Sequence, residues 1–337
     1  MWLRTLKILH AGNMKFQSVI TRSIFILLIG LFLCIPSELL SQQQWYKGNI
    51  HTHTTNSDGD SPPNVVVKWY KDNNYNFLVI TDHNHLTPVA DLDTSGTDDF
   101  LLIPGIEVTD SYRGTPVHVL AIGAHQDIQP QHGVGVTETL QNNIDAIREA
   151  GSIPVIAHPR WRWAFGAEEM CQVTRCSLFE IFNPGCNYFS GGGAPGCEET
   201  WDEVLSQGVL MYGVGVDDMH NLSRGTGLSW VMVNADTLSE ESILRALEQG
   251  SFYATTGVLL ESYTVSNAQI EVVISPTKYG KYTTEFIGYR GNVLKKDISL
   301  NPRYTFTGDE KYVRVCIMDS NGKMAWLQPI PGKNFKQ

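Results

Sequence analysis

Two histidines one residue apart, His51 and His53, stand in the stretch NIHTHTTNSDG (49–59), and Asp58 follows before the next glycine. If this stretch ends a β-strand, alternate residues face the same way, so the two imidazoles project together while Thr52 faces away. Two imidazoles on one strand face can chelate a metal ion. The pattern then recurs along the chain. NFLVITDHN supplies Asp82 and His83, LLIPGIEV supplies Glu107, and TPVHVLAIG supplies His118; IPVIAHP supplies His158, and YGVGVDDMH supplies Asp218 and His220. Packing histidines would have no reason to recur at one apolar run after another. Side chains from the carboxyl ends of different barrel strands do meet at a single mouth, where active sites are built. Mixed imidazole and carboxylate donors suit zinc, manganese or iron. The absence of a close CxxC pair argues against a thiolate site.

Those residues need a scaffold, and the runs that carry them describe one. Short apolar segments at 76–81, 100–107, 116–123, 153–158, 178–183 and 211–216 read as strands covered on both faces, as in parallel sheets. Helices are expected at 61–73, 137–150 and 198–207, the second with Leu140, Ile144 and Ile147 on one face and Gly151 as a stop. The order implies an α/β barrel or a doubly wound sheet. Beyond 257 the pattern becomes alternating, and DSNGK (319–323) between YVRVCIM and MAWLQPI marks a hairpin. The expected division is therefore a leader at 1–41, an α/β barrel at 42–257 and a small antiparallel β domain at 258–337.

The leader is expected from Lys15 and Arg22, the apolar run IFILLIGLFLCI (24–35) and Pro36, the order of a secretory signal peptide. Export to the periplasm or beyond follows, with a membrane association only if the segment stays uncleaved as an anchor. Among the remaining cysteines, Cys171 with Cys176 and Cys186 with Cys197 are the nearest pairs for disulfides in an oxidising compartment, and Cys316 reads as a buried strand residue. The formal net charge of -10 disfavours generic binding to nucleic acid or an anionic membrane, which depends on a basic surface.

Taken in order, HTH, SDG, TDH, the glutamate after PGI, VH, AHP and DMH make the segment from Trp45 to Trp230 resemble the polymerase and histidinol phosphatase (PHP) superfamily of metallohydrolases, near its carbaryl hydrolase-like branch. The resemblance implies a distorted barrel of seven βα units and a cluster of three divalent ions. His51, His53, Glu107 and Asp218 would hold the first ion, and Glu107 would bridge to a second held by His118 and His158. Asp58, His83 and His220 would hold the third. The implied nucleophile is a hydroxide bridging two ions, since metals lower the pKa of bound water. The usual first motif has aspartate where this chain has Asn49, a departure expected to alter a hydrogen bond around the ligands.

Arg160 and Arg162 follow His158, and Arg113 and Arg224 lie in other loops of the same end. Arginine grips phosphate or carboxylate oxygens with paired hydrogen bonds. Glu107, Asp218 and Arg160 are thus the residues expected to carry catalysis. Glu180 and Asn183, in LFEIFNPG, are expected to orient ligands or substrate, and Trp161 and Trp163 to stack or pack. The expected activity is an exported metal-dependent phosphoesterase acting on a small, anionic phosphate ester or phosphodiester, with no specific nucleic-acid partner. An amide or carbamate metallohydrolase is the alternative, and a noncatalytic binding module a third.

Overall fold

The computed structural model describes residues 44–90, 92, 99–188, 194 and 196–335. The expected leader and the glycine run at 191–193 lie outside the described residues. No described helix is long and apolar enough to cross a membrane.

The first strand, β1 (Trp45–Asn49), runs into the HTH stretch and is followed by α1 (Pro63–Asp72) and β2 (Phe77–Ile80). Pro62 and Pro63 start α1 with a preset φ, and the helix buries Val66, Val67 and Tyr70. Next come β3 (Leu101–Tyr112), β4 (Thr115–Ile122), α2 (Val136–Glu149) and β5 (Ile153–Ile156). The face expected on α2 is the one that packs: Leu140, Ile144 and Ile147 are fully buried. A short α3 (Ala167–Met170), β6 (Leu178–Phe182), the one-turn α4 (Gly185–Tyr188), α5 (Glu198–Ser206) and β7 (Tyr212–Gly215) complete the segment that carries the ligand-type residues.

Pairing is parallel for β1 with β2, β2 with β3, β5 with β6 and β6 with β7. The strand β4 departs from the uniform βα alternation expected, because it is antiparallel to both β3 and β5. The cause is local. Arg113 and Gly114 both take positive φ, +50° and +86°, the pair of left-handed residues that a two-residue hairpin turn requires. Both strands are nearly continuously buried, so their apolar runs imitate parallel strands.

The remaining strands extend the same sheet. β8 (Trp230–Asn234) pairs with β1, and after α6 (Glu240–Glu248), β9 (Phe252–Thr255) pairs with β8. Then come β10 (Leu259–Val265), β11 (Gln269–Ser275) and β12 (Tyr282–Gly288). They are followed by β13 (Asn292–Asp297) and β14 (Arg303–Thr305), and then by β15 (Tyr312–Asp319) and β16 (Met324–Pro331), which form the hairpin around DSNGK. Since β16 pairs with β9, the C-terminal strands continue a 13-stranded sheet, while β10, β11 and β14 form a second sheet of 3. The fold is mixed α/β around one large sheet.

Among the described residues, no strand ladder joins the sheet's last strand, β7, to another edge. Gly213, at its outer side, is nonetheless satisfied. The Gln328 amide from β16 accepts from Gly213 N at 2.8 Å and donates to Gly213 O at 3.0 Å. Past the end of β7, Asp218 N donates to His51 O at 3.1 Å and His53 N to Met219 O at 2.9 Å. The two histidine-bearing strand ends are thereby stitched together at the mouth. The buried Arg314 of β15 grips Asp202 of α5 through Nε at 2.7 Å and Nη2 at 2.5 Å, tying the later strands to the helical layer.

All five described cysteines are free thiols, so neither expected disulfide is closed. Cys176 Sγ instead faces the carbonyls of Pro154 and Leu178, each at 3.4 Å, inside the sheet. Cys316 is buried on β15 as expected.

Candidate metal centre

His51 and His53 are fully buried and converge through their Nε2 atoms, 3.0 Å apart. Asp218 Oδ1 lies 3.2 Å from each, and Glu107 Oε2 lies 3.3 Å from His51 Nε2 and 3.2 Å from His53 Nε2. Four Lewis-basic atoms therefore share one small space. The other oxygen of Glu107, Oε1, meets His118 Nδ1 at 2.8 Å and His158 Nε2 at 3.0 Å. Glu107 thus faces two donor groups with its two oxygens, as a bridging carboxylate must. Toward the opening, Asp58 Oδ1 is 3.3 Å from His220 Nε2 and 3.6 Å from His83 Nε2. All nine expected ligands lie in this cluster, in four overlapping groups: His53, Asp58, His83 and His220; His51, His53 and Asp218; His51, Glu107 and His158; and His83, Glu107 and His118, with His83 Nδ1 2.9 Å from Glu107 Oε2, so His118 and His158 fall in separate groups that share Glu107.

The donor set fits divalent cations on evidence internal to the site. Glu107 Oε2 and Asp218 Oδ1 are buried with no hydrogen-bond partner. Leaving a buried carboxylate oxygen bare is costly, and a cation removes that cost. The imidazoles point to the same conclusion. His51 Nδ1 lies 2.5 Å from Glu180 Oε1, and His53 Nδ1 lies 3.3 Å from Ser57 Oγ, which itself donates to Asp82 Oδ1 at 2.7 Å. A proton on Nδ1 of each ring, toward Glu180 and Ser57, would leave both Nε2 atoms free to face an ion. His51, His53, Glu107 and Asp218 would hold one ion, Glu107, His118 and His158 a second, and Asp58, His83 and His220 a third.

Without ions, protons take their place. Burial opposes a charged His83, but Glu107 and Asp58 outweigh it and push the pKa up to about 10. Burial likewise opposes a charged His220, and Asp58 and Asp218 raise it to about 9. The Glu107 and Asp218 carboxyls resist the upward push of burial and stay well below the ordinary range because imidazoles surround them.

The surrounding residues hold this arrangement. Asp82 accepts from Thr54 N at 2.7 Å, Thr54 Oγ1 at 2.8 Å and Thr87 Oγ1 at 2.5 Å, bracing the loop after HTH without entering the cluster. Gly59 lies against the backbone of His53 and Thr54, where a Cβ would sit 2.7 Å from His53 O. Asn49 explains its own departure from aspartate. Its Oδ1 accepts from His51 N at 3.1 Å, and its Nδ2 donates to Tyr70 Oη at 2.8 Å. Tyr70 then donates to Asp217 Oδ2 at 2.8 Å.

The cluster lines a cavity of about 370 Å³, together with Trp161, Gly185 and Asn221. Trp161 packs on His118 and His158 with ring centroids 5.4 and 5.2 Å away, walling one side. Arg160 is placed elsewhere. Its guanidinium sits over Trp163 and reaches Glu199 at 3.6 Å, and it does not line the cavity. Arg162 lies over Trp161 and Arg113 in the β3–β4 turn. The remaining histidines have local partners or exposure: His125 meets Glu240, His132 meets Asp110, and His85 is exposed. Sequence reasoning gave no role to Asn221 or Ser57, although both lie beside motifs, DMH and SDG, that it did single out.

No family model matches the chain, and no curated protein matches it. Solved structures do. A two-domain protein from Bacteroides vulgatus containing a predicted PHP-like metal-dependent phosphoesterase is 16% identical, with a TM-score of 0.51 and coverage of 86% of this chain and 96% of that one. A chain from Bifidobacterium adolescentis, itself inferred to be a metal-dependent phosphoesterase, is 17% identical, covers 53% of this chain and 89% of its own length, and has a TM-score of 0.37. An amidohydrolase from Chromobacterium violaceum, solved with sulfate and no metal, is 16% identical with 53% and 89% coverage and a TM-score of 0.39. At these identities the likeness is one of fold, shared with the Bacteroides protein over 86% of this chain.

Proposed function

We propose that this protein is a metal-dependent phosphoesterase that hydrolyses a small phosphate ester or phosphodiester, and that it works outside the cytoplasm. The observation that carries the reading is the convergence of imidazole nitrogens on the unpartnered oxygens of Glu107 and Asp218, two residues that line the cavity. Bound divalent ions would supply Lewis acidity and activate water there. Zinc, manganese and iron all suit the donors.

Charge favours an anionic substrate. Three divalent ions outweigh the carboxylates of Asp58, Glu107, Glu180 and Asp218, so the loaded cavity is net positive without help from arginine. The chain's own contribution is placement. Glu107 presents one oxygen to each of two donor groups, Trp161 screens His118 and His158, and Asp58, His83 and His220 stand at the more open side. A second reading, hydrolysis of a neutral amide or carbamate, draws on one observation: no arginine is among the described residues that line the cavity.

The test is to strip the purified protein with chelator, reload it with zinc, manganese or iron, and assay phosphomonoesters, phosphodiesters and carbamates in parallel. Turnover of phosphate esters that requires added metal supports the reading. Carbamate turnover alone transfers support to the second, and full activity in the chelated protein rejects both.

A further inference from the structure

One buried carboxylate beside the cluster binds no ion in the arrangement above. Glu180, in the middle of β6 and 1% exposed, meets three hydrogen-bond donors. Its Oε1 accepts from His51 Nδ1 at 2.5 Å, while its Oε2 accepts from His158 N at 2.8 Å and Asn183 Nδ2 at 2.7 Å. The same Asn183 amide reaches Asp218 Oδ2 at 3.1 Å. His158 and Asp218 both hold positive φ, +23° and +51°, a region that costs a residue with a side chain. Glu180 and Asn183 thus touch His51 and the two expected ligands whose backbones are strained.

We propose that Glu180 is a positioning residue that sets the tautomer of His51, holding the proton on Nδ1 so that Nε2 is bare where an ion is to bind. The inference rests on the reading of the cluster as a metal centre. Its logic is one of donors and acceptors. An ionised carboxylate only accepts, so it satisfies all three donors at once and forces His51 Nδ1 to donate. An amide of the same shape has one acceptor oxygen and one NH₂ donor. His158 N cannot change its role and Asn183 shares its side, so the oxygen of a glutamine would turn toward them. The NH₂ would then face His51 Nδ1, which would have to accept and carry its proton on Nε2, against the ion. Partners of this kind typically change metal affinity by about 10- to 100-fold when removed.

Two variants separate this role from simple packing. Glu180→Gln preserves volume and reverses the polarity toward His51, whereas Glu180→Ala leaves the imidazole free to choose. We expect thermal stability of the metal-free proteins in the order wild type, Gln, Ala. Zinc affinity, titrated against a competing chelator, is expected in the order wild type, Ala, Gln, with Gln weaker than wild type by about 10- to 100-fold. A packing role places Gln above Ala in both series, and that result overturns the proposal. If wild type takes up no zinc, the functional reading falls separately. The ring-nitrogen NMR spectrum of metal-free protein at alkaline pH then decides this inference: a proton on Nδ1 in wild type and on Nε2 in the Gln variant supports it, and the same tautomer in both overturns it.

Discussion

His51 Nε2 and His53 Nε2 face each other across 3.0 Å, with Asp218 Oδ1 3.2 Å from both. A tetrahedral ion with nitrogen and oxygen ligands at about 2.0–2.2 Å requires ligand atoms about 3.3–3.5 Å apart. The protein therefore holds these atoms close to the spacing such an ion needs. Rigid, prepaid placement of this kind is what a buried strand end provides.

Metal should stabilise the fold, because it would give partners to the buried oxygens of Glu107 and Asp218. Free metal at 100 times its dissociation constant contributes about 2.7 kcal/mol. For a chain of 337 residues that corresponds to a rise in Tm of roughly 4 °C over chelated protein. Differential scanning fluorimetry with and without zinc checks it; an unchanged or lower Tm would count against binding to the native state.

Loading should release protons, and the sign follows from the raised pKa values. His83, pushed up to about 10, and His220, pushed up to about 9, both carry protons at neutral pH in the metal-free protein. An ion must displace them, so apparent affinity falls as pH drops below these values and rises toward them. Calorimetry in buffers of different ionisation enthalpy measures the release. Uptake without net proton loss would mean that these two imidazoles are not ligands.

Glu107→Gln should abolish most metal uptake at two groups at once. The two oxygens of Glu107 face different sets of histidines, and an amide supplies neither the charge nor a second acceptor. Metal analysis should show a larger loss than for His118→Ala, which touches only one group. Equal losses would remove the bridging role.

Asn49→Asp should destabilise this protein. The new carboxylate would meet the oxygen of Tyr70, whose proton already goes to Asp217 Oδ2. Losing a buried hydrogen bond and leaving an unpaired acceptor costs about 1–3 kcal/mol. Urea denaturation at neutral pH checks the value, and a stability equal to wild type would show that Tyr70 turns without penalty.

Much of the centre was legible because strand ends are legible. Apolar runs closing on His, Asp or Glu identified the nine clustered residues, and the helical face of Leu140, Ile144 and Ile147 packs as its spacing requires. What was hidden depended on contacts between distant segments. The β3–β4 hairpin escaped because burial on both faces erased the alternation of an antiparallel pair, and Arg113–Gly114 is a turn signal only once φ is known. Arg160 follows a ligand in sequence, yet positive φ at Arg162 and Trp163 turns the loop, and Glu199 takes the guanidinium. The three-donor role of Glu180 could not be read from spacing, since its partners come from β1, the end of β5 and the loop after β6.

Arg160→Ala should accordingly change little at the chemical centre. With its guanidinium on Glu199 and Trp163, we expect intact metal content and kcat/KM for a phosphate ester within about threefold of wild type, since an exposed pair of this kind contributes about 0–1 kcal/mol. Steady-state kinetics on the metal-loaded variant checks this. A loss of a hundredfold or more, confined to anionic substrates, would show that Arg160 swings into the cavity on binding.

The most direct test of the metal centre is an anomalous-scattering map at the zinc edge from crystals of the zinc-loaded protein. The account predicts a peak bounded by His51, His53, Glu107 and Asp218, a second by Glu107, His118 and His158, and a third by Asp58, His83 and His220. A map with no peak between Glu107 and the His51–His53 pair, from protein saturated with zinc, would contradict it.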